Sequence, residues 1–131
     1  MSQNNVDLVK SIYGAIGFGD IDKVIGLMTD DIEIHFPGPE SIPFAGVFHG
    51  YKGVGEFFTR LGSSADVELF EPMEFIAQGN KTVVTGRERL TAKSSGKSWE
   101  TLWAMVWTIR DNEIARLDEF HNTAAIAAAF D

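Results

Sequence analysis

The sequence predicts an α+β fold in which three N-terminal helices pack on one face of a mostly antiparallel sheet. Two patterns carry that reading. Apolar residues recur at spacings of three and four in the first sixty positions, as on one buried face of a helix. Beyond about position 65 they alternate at period two, in runs separated by glycine- and asparagine-containing turn signals.

Val6, Val9, Ile12, Tyr13 and Ile16 form the first helical stripe, which Gly17 and Gly19 end. Asp20 is placed to cap a second helix whose apolar face is Ile21, Val24, Ile25 and Met28. Thr29-Asp30-Asp31 reads as a turn, Ile32 to Phe36 as a short strand, and Pro37-Gly38-Pro39 as its stop. The Pro/Gly-rich stretch from Pro37 to Gly50 reads as a long loop. A third helix follows from Tyr51 to Leu61, with Val54, Phe57, Phe58 and Leu61 on its apolar side.

Val67 to Ala77, Thr82 to Ala92 and Trp99 to Ile109 read as successive antiparallel strands, divided by Gln78-Gly79-Asn80 and Ser94-Ser95-Gly96-Lys97. Asp111-Asn112 turns the chain into a last strand, Glu113 to His121, and Thr123 to Phe130 reads as a short terminal helix. No linker or repeat divides the 131 residues, so one domain is expected over positions 1–131. Trp99, Trp103, Met105 and Trp107 share one side of their strand, and Leu102, Ala104 and Val106 the other. Both faces are apolar and the chain has no further helices for the second, so a homodimer through the sheet is expected.

A formal net charge of −8 opposes binding to phosphate backbones, so nucleic acid is not an expected partner. The chain has no cysteine, which removes thiolate catalysis and cysteine-based metal sites, and its three histidines form no HxH or HExxH pair, so no metal site is expected. The N-terminal sequence lacks the pattern of a secretory signal and no apolar run approaches a membrane span; the expectation is a cytoplasmic protein without a membrane partner. Gly50-Tyr51-Lys52-Gly53-Val54-Gly55 lacks the Lys-Ser/Thr ending of a phosphate-binding loop.

Gly19-Asp20-Ile21-Asp22, Asp30-Asp31-Ile32, Phe36-Pro37-Gly38-Pro39, Gly50-Tyr51-Lys52-Gly53 and the Trp-rich strand before Arg110-Asp111-Asn112-Glu113-Ile114 together resemble the SnoaL-like branch of the NTF2-like superfamily. The resemblance implies a cystatin-like cone, a strongly curved sheet and helices around a pocket for a hydrophobic small molecule. It also implies polyketide cyclases and ketosteroid isomerases as relatives, among others that only bind. The position of the isomerase's base is Phe36 here, and that of its protonated acid is Met105; neither side chain moves a proton. Glu119 is similar to the cyclase acid of the last strand.

On that strand Leu117, Glu119 and His121 share a face, opposite Arg116, Asp118 and Phe120. Glu119 beside Trp103, Met105 and Trp107 would be a desolvated acid or base, with His121 as its assistant; the alternative pairs Glu119 with Arg87 or Arg89 across the sheet. Tyr13 and His49 are candidates to hold a substrate oxygen, and Phe36, Phe58, Trp103, Met105, Trp107 and Leu117 to line the pocket. His35, by parity, faces away. The leading functional expectation is cofactor-free acid/base chemistry of the cyclase or isomerase type on a hydrophobic, oxygenated molecule. A non-catalytic binding module and a protein-interaction module using the sheet face are its rivals.

Overall fold

In the computed structural model the described residues are 2–131. The chain runs through α1 (Ser2–Gly17), α2 (Ile21–Gly26), β1 (Met28–Phe36), β2 (Gly46–His49), α3 (Gly50–Ser64), β3 (Ala65–Gln78), β4 (Lys81–Ala92), β5 (Ser98–Arg110), β6 (Glu113–His121) and α4 (Thr123–Ala129). The six strands form one curved sheet in the order β2-β1-β6-β5-β4-β3, antiparallel throughout except for the β1–β6 pair. The α+β architecture is therefore the one that the sequence predicts.

Local chemistry sets the turns. Gly19, at φ 71°, lets the chain reverse between the first two helices, and the Asp20 carboxylate accepts the Lys23 backbone N–H as an N-cap. Asp111 and Asn112 both take positive φ, the conformation of a two-residue hairpin loop that matches strand twist. Register shifts at Val67–Leu69 and Pro72–Glu74 mark bulges in β3, and such insertions bend a long strand.

Two elements differ from the sequence reading. Met28 and the expected turn Thr29-Asp30-Asp31 lie in β1, because α2 ends at Gly26 and Met28 pairs with Ile114 of β6 before the ladder shifts to Glu33–Arg116. Four residues of the expected loop form β2, an edge strand on β1 in the register Ile34–Phe48 and Phe36–Gly46. It is also clamped from the helix side: a Cβ on Gly53 would meet the Phe48 carbonyl carbon at 2.9 Å, so only glycine permits this approach of α3 to β2.

α1 and α3 cover the concave face of the sheet, and the core lies between the layers. Val9 and Ile12 of α1, Val54 and Phe57 of α3, and Ile32 and Ile34 of β1 are buried there. At one end α4 packs on β5, with Phe130 against Trp99 and Phe44 at ring-centre distances of 5.7 and 5.9 Å. The convex face stays uncovered: Leu102 is 71% and Phe120 53% exposed. No helix among the described residues is long and apolar enough to cross a membrane.

Candidate active site

Between the concave face, α1 and α3 lies a cavity of about 470 Å³, within the range of small-molecule sites. Its wall is apolar and aromatic: Ile16 from α1, Phe57, Phe58 and Leu61 from α3, Phe36 and Ile34 from β1, Phe44 from the following loop, Phe70 from β3, and Trp99, Met105, Trp107 and Leu117 from β5 and β6. Four polar side chains interrupt it, Tyr13, Glu88, Glu119 and His121.

Three of these form one chain of contacts. His121 Nε2 and Glu119 Oε1 are 3.0 Å apart, and His121 Nδ1 lies 3.3 Å from Glu88 Oε2. The second contact is close enough for charge attraction but is not aligned as a hydrogen bond; Glu88 Oε2 also accepts the Trp99 indole N–H at 3.0 Å. All three side chains are nearly inaccessible, at 3% for His121, 5% for Glu119 and 6% for Glu88. Phe36 stacks on the imidazole with a ring-centre distance of 4.7 Å.

Burial by itself would push the His121 pKa down, but the hydrogen bond to Glu119 and the nearness of Glu88 outweigh it and raise the pKa to about 9. His121 is therefore an imidazolium at neutral pH, held between two carboxylates. Such a group can donate a proton, keep a neighbouring carboxylate in place, or relay between the two.

Tyr13 projects from α1 into the same cavity. Its hydroxyl accepts the Trp107 indole N–H at 3.0 Å and donates to Met105 Sδ at 3.2 Å. Burial raises its pKa, the Trp107 hydrogen bond works against that rise, and the Glu119 charge adds to it, so the hydroxyl stays protonated as a donor. Thioether sulfur is a weak acceptor, and a ligand oxygen would compete well for this donor.

Two residues expected at the pocket are elsewhere. His49 ends β2 opposite Glu33, on the outward side because its neighbour Phe48 pairs with inward Ile34; its side chain is 71% exposed in a shallow cleft with Lys52, Glu56 and Arg60. Trp103 faces the concave side but its ring lies on Gly86 and stacks on Phe70 at 4.8 Å, which keeps it behind the wall. A Cβ on Gly86 would sit 2.2 Å from that ring. The alternative partners of Glu119 are engaged on the opposite face, Arg87 with Glu71 at 2.9 Å and Arg89 with Glu68 at 3.2 Å.

Glu88 is the residue that the sequence reading missed. Its signal is the alternation along β4, where Thr82, Val84, Gly86, Glu88, Leu90 and Ala92 are buried and Glu88 is the one acid among them. Trp99, on the same strand side as Trp103, Met105 and Trp107, lines the cavity and holds Glu88.

The model of the SnoaL-like domain matches residues 9–117. The chain belongs to the SnoaL-like domain family. An uncharacterised protein of Mycobacterium tuberculosis (strain ATCC 25618 / H37Rv) is 27% identical to this SnoaL-like protein over 126 residues, covering 96% of the chain and 95% of the relative. A crystal structure of an NTF2-like protein from Burkholderia xenovorans LB400 superposes with a TM-score of 0.93 at 29% identity, over 100% of this chain and 98% of that one. TerC, crystallised with polyporic acid, shares the fold at a TM-score of 0.83 and 24% identity, over 97% and 98% of the two chains.

Proposed function

We propose that this SnoaL-like protein is a cofactor-free acid/base enzyme acting on a hydrophobic, oxygenated small molecule, in the manner of a cyclase or isomerase. The observation that carries the reading is the Glu119–His121–Glu88 chain in the wall of an apolar cavity that also receives the Tyr13 hydroxyl. Glu119 removes a proton from carbon next to a carbonyl, and the Tyr13 hydroxyl leaves Met105 Sδ to donate to the developing enolate oxygen. His121 holds Glu119 in position, and its charge offsets the second carboxylate, Glu88. The aromatic wall excludes water, which strengthens each of these interactions.

Nitrobenzisoxazole tests this without knowledge of the natural substrate. It is flat and apolar, and loss of its ring C–H proton to a desolvated carboxylate opens the ring to a coloured phenolate. The expected result is a rate above that of free carboxylate, abolished in Glu119→Gln and retained in Asp118→Asn, whose side chain pairs with Arg116 on the convex face. A rate unchanged by Glu119→Gln would remove Glu119 from the mechanism.

A second reading, a binding module without turnover, is favoured by Phe36 and Met105, which put apolar side chains into the cavity where the isomerase relatives carry acids. Saturable binding of the probe with no acceleration would select it. Under either reading we place a second copy of the chain on the convex face. There Leu102, Ala104, Val106 and Phe120 lie among Arg87, Arg89 and Arg116 on one hand and Glu68, Glu71 and Asp118 on the other. A patch carrying both signs around an apolar centre can meet itself across a two-fold axis. In keeping with that, the protein is expected in the cytoplasm as a dimer.

A further inference from the structure

The charges of the cavity are unequal. Two acidic side chains, Glu88 and Glu119, face one basic one, His121. No Lys or Arg lines the cavity among the described residues. The nearest arginines in sequence, Arg87 and Arg89, flank Glu88 on β4, where alternation turns them outward to Glu71 and Glu68. A buried net charge is costly unless something entering the site compensates it.

The hydrogen bonds are unequal in the same sense. Glu88 Oε2 is engaged by the Trp99 indole and Glu119 Oε1 by His121. Their other oxygens receive no side-chain donor among the described residues, although both residues border the cavity. The site thus holds more acidic than basic side chains, and its donors are the Tyr13 hydroxyl, now on Met105 Sδ, and the buried His121 Nδ1, which lies 3.3 Å from Glu88. The rest of the wall is apolar and aromatic, and the Phe36 ring face is already stacked on the His121 imidazole at 4.7 Å.

We propose that the cavity takes an uncharged or cationic molecule whose hydroxyl or amine groups donate to Glu88 and Glu119, and that it excludes carboxylates and phosphates. The proposal rests on the reading of this cavity as the ligand site and narrows its substrate class.

Three naphthalene probes of one size test it: naphthylmethanol, naphthylmethylamine and naphthoate, with binding followed at pH 7 through the tryptophan fluorescence of the intact protein. The alcohol and the amine are expected to bind, the amine at least as tightly as the alcohol, and naphthoate at least about tenfold more weakly than the alcohol, a difference of about 1.4 kcal/mol. In the Glu88→Gln/Glu119→Gln double variant, checked for native melting behaviour, the preference should fall towards one. Naphthoate binding within tenfold of the alcohol, or no binding of the alcohol, overturns the proposal. The nitrobenzisoxazole rate is independent of this outcome: charge selection without turnover keeps the proposal and removes the enzymatic reading, and turnover without charge selection does the reverse.

Discussion

Two strands of the sheet carry the same device, a Glu followed two positions later by a His whose ring bonds back to it. On β1 it is Glu33 and His35, 2.8 Å apart; on β6 it is Glu119 and His121, 3.0 Å apart. The strands are parallel neighbours, yet the β1 pair points to the convex face and the β6 pair into the cavity. Exposure separates them, with the outer side chains 39% and 23% accessible and the inner ones 5% and 3%. In solvent the pair is one more polar surface contact, screened and of little worth. Within the cavity, with Glu88 on the other side of the imidazole, the same residues hold a proton well above the usual histidine range. Burial and the third charge, not the motif, make the inner pair a chemical device.

The largest expected break of this contrast is in turnover. Glu119→Gln should lower the nitrobenzisoxazole rate by about 10²-fold or more, in the range of a positioned general base, whereas Glu33→Gln should leave it within about twofold. A comparable loss in both, measured under the same conditions, would show that position on the sheet is irrelevant.

Next comes stability. His121→Asn leaves Glu88 and Glu119 without the cation between them, and loss of one partner of a buried charge network costs roughly 3 kcal/mol or more. Urea unfolding should report that loss, and His35→Asn should shift the midpoint little. The pH dependence follows with a definite sign. Because the folded-state pKa of His121 is raised from 6.5 to about 9, its stabilisation is complete below about pH 6.5 and is lost as pH rises through about 9. The melting temperature should therefore fall between pH 7 and pH 10, and fall less in His121→Asn.

The contrast also explains what the sequence could reveal. Parity from Leu117 to His121 was enough to put Leu117, Glu119 and His121 inside and Asp118 outside, because Leu117 is an apolar marker and the register shift of this strand, at Ala115, lies before it. Tyr13, Phe36, Phe58, Met105 and Trp107 reach the cavity wall for the same reason, each belonging to the apolar side of its element. Glu88 was hidden because its role depends on pairing between strands: Trp103 stands opposite both His121 and Gly86, which brings His121 beside Glu88 diagonally. Nothing in a single strand fixes that register. Trp103 and His49 were misplaced by the converse limit, since parity gives the side of the sheet but not what else covers it, and His49 belongs to a strand that the Pro/Gly-rich composition conceals.

A smaller effect concerns assembly and separates the two faces cleanly. If a second copy covers the convex face, Phe120→Asp with Leu102→Lys should convert dimer to monomer in sedimentation, because both side chains stand in the uncovered patch. The probe rate should change by no more than about twofold, since neither residue borders the cavity. Glu119→Gln should behave in the opposite way, losing the rate while keeping the dimer. A monomeric wild type would leave the convex face without its proposed partner and restrict the comparison to the single chain. A monomeric double variant that also lost the rate would mean that the faces are coupled through the sheet, Phe120 lying directly between Glu119 and His121 on β6.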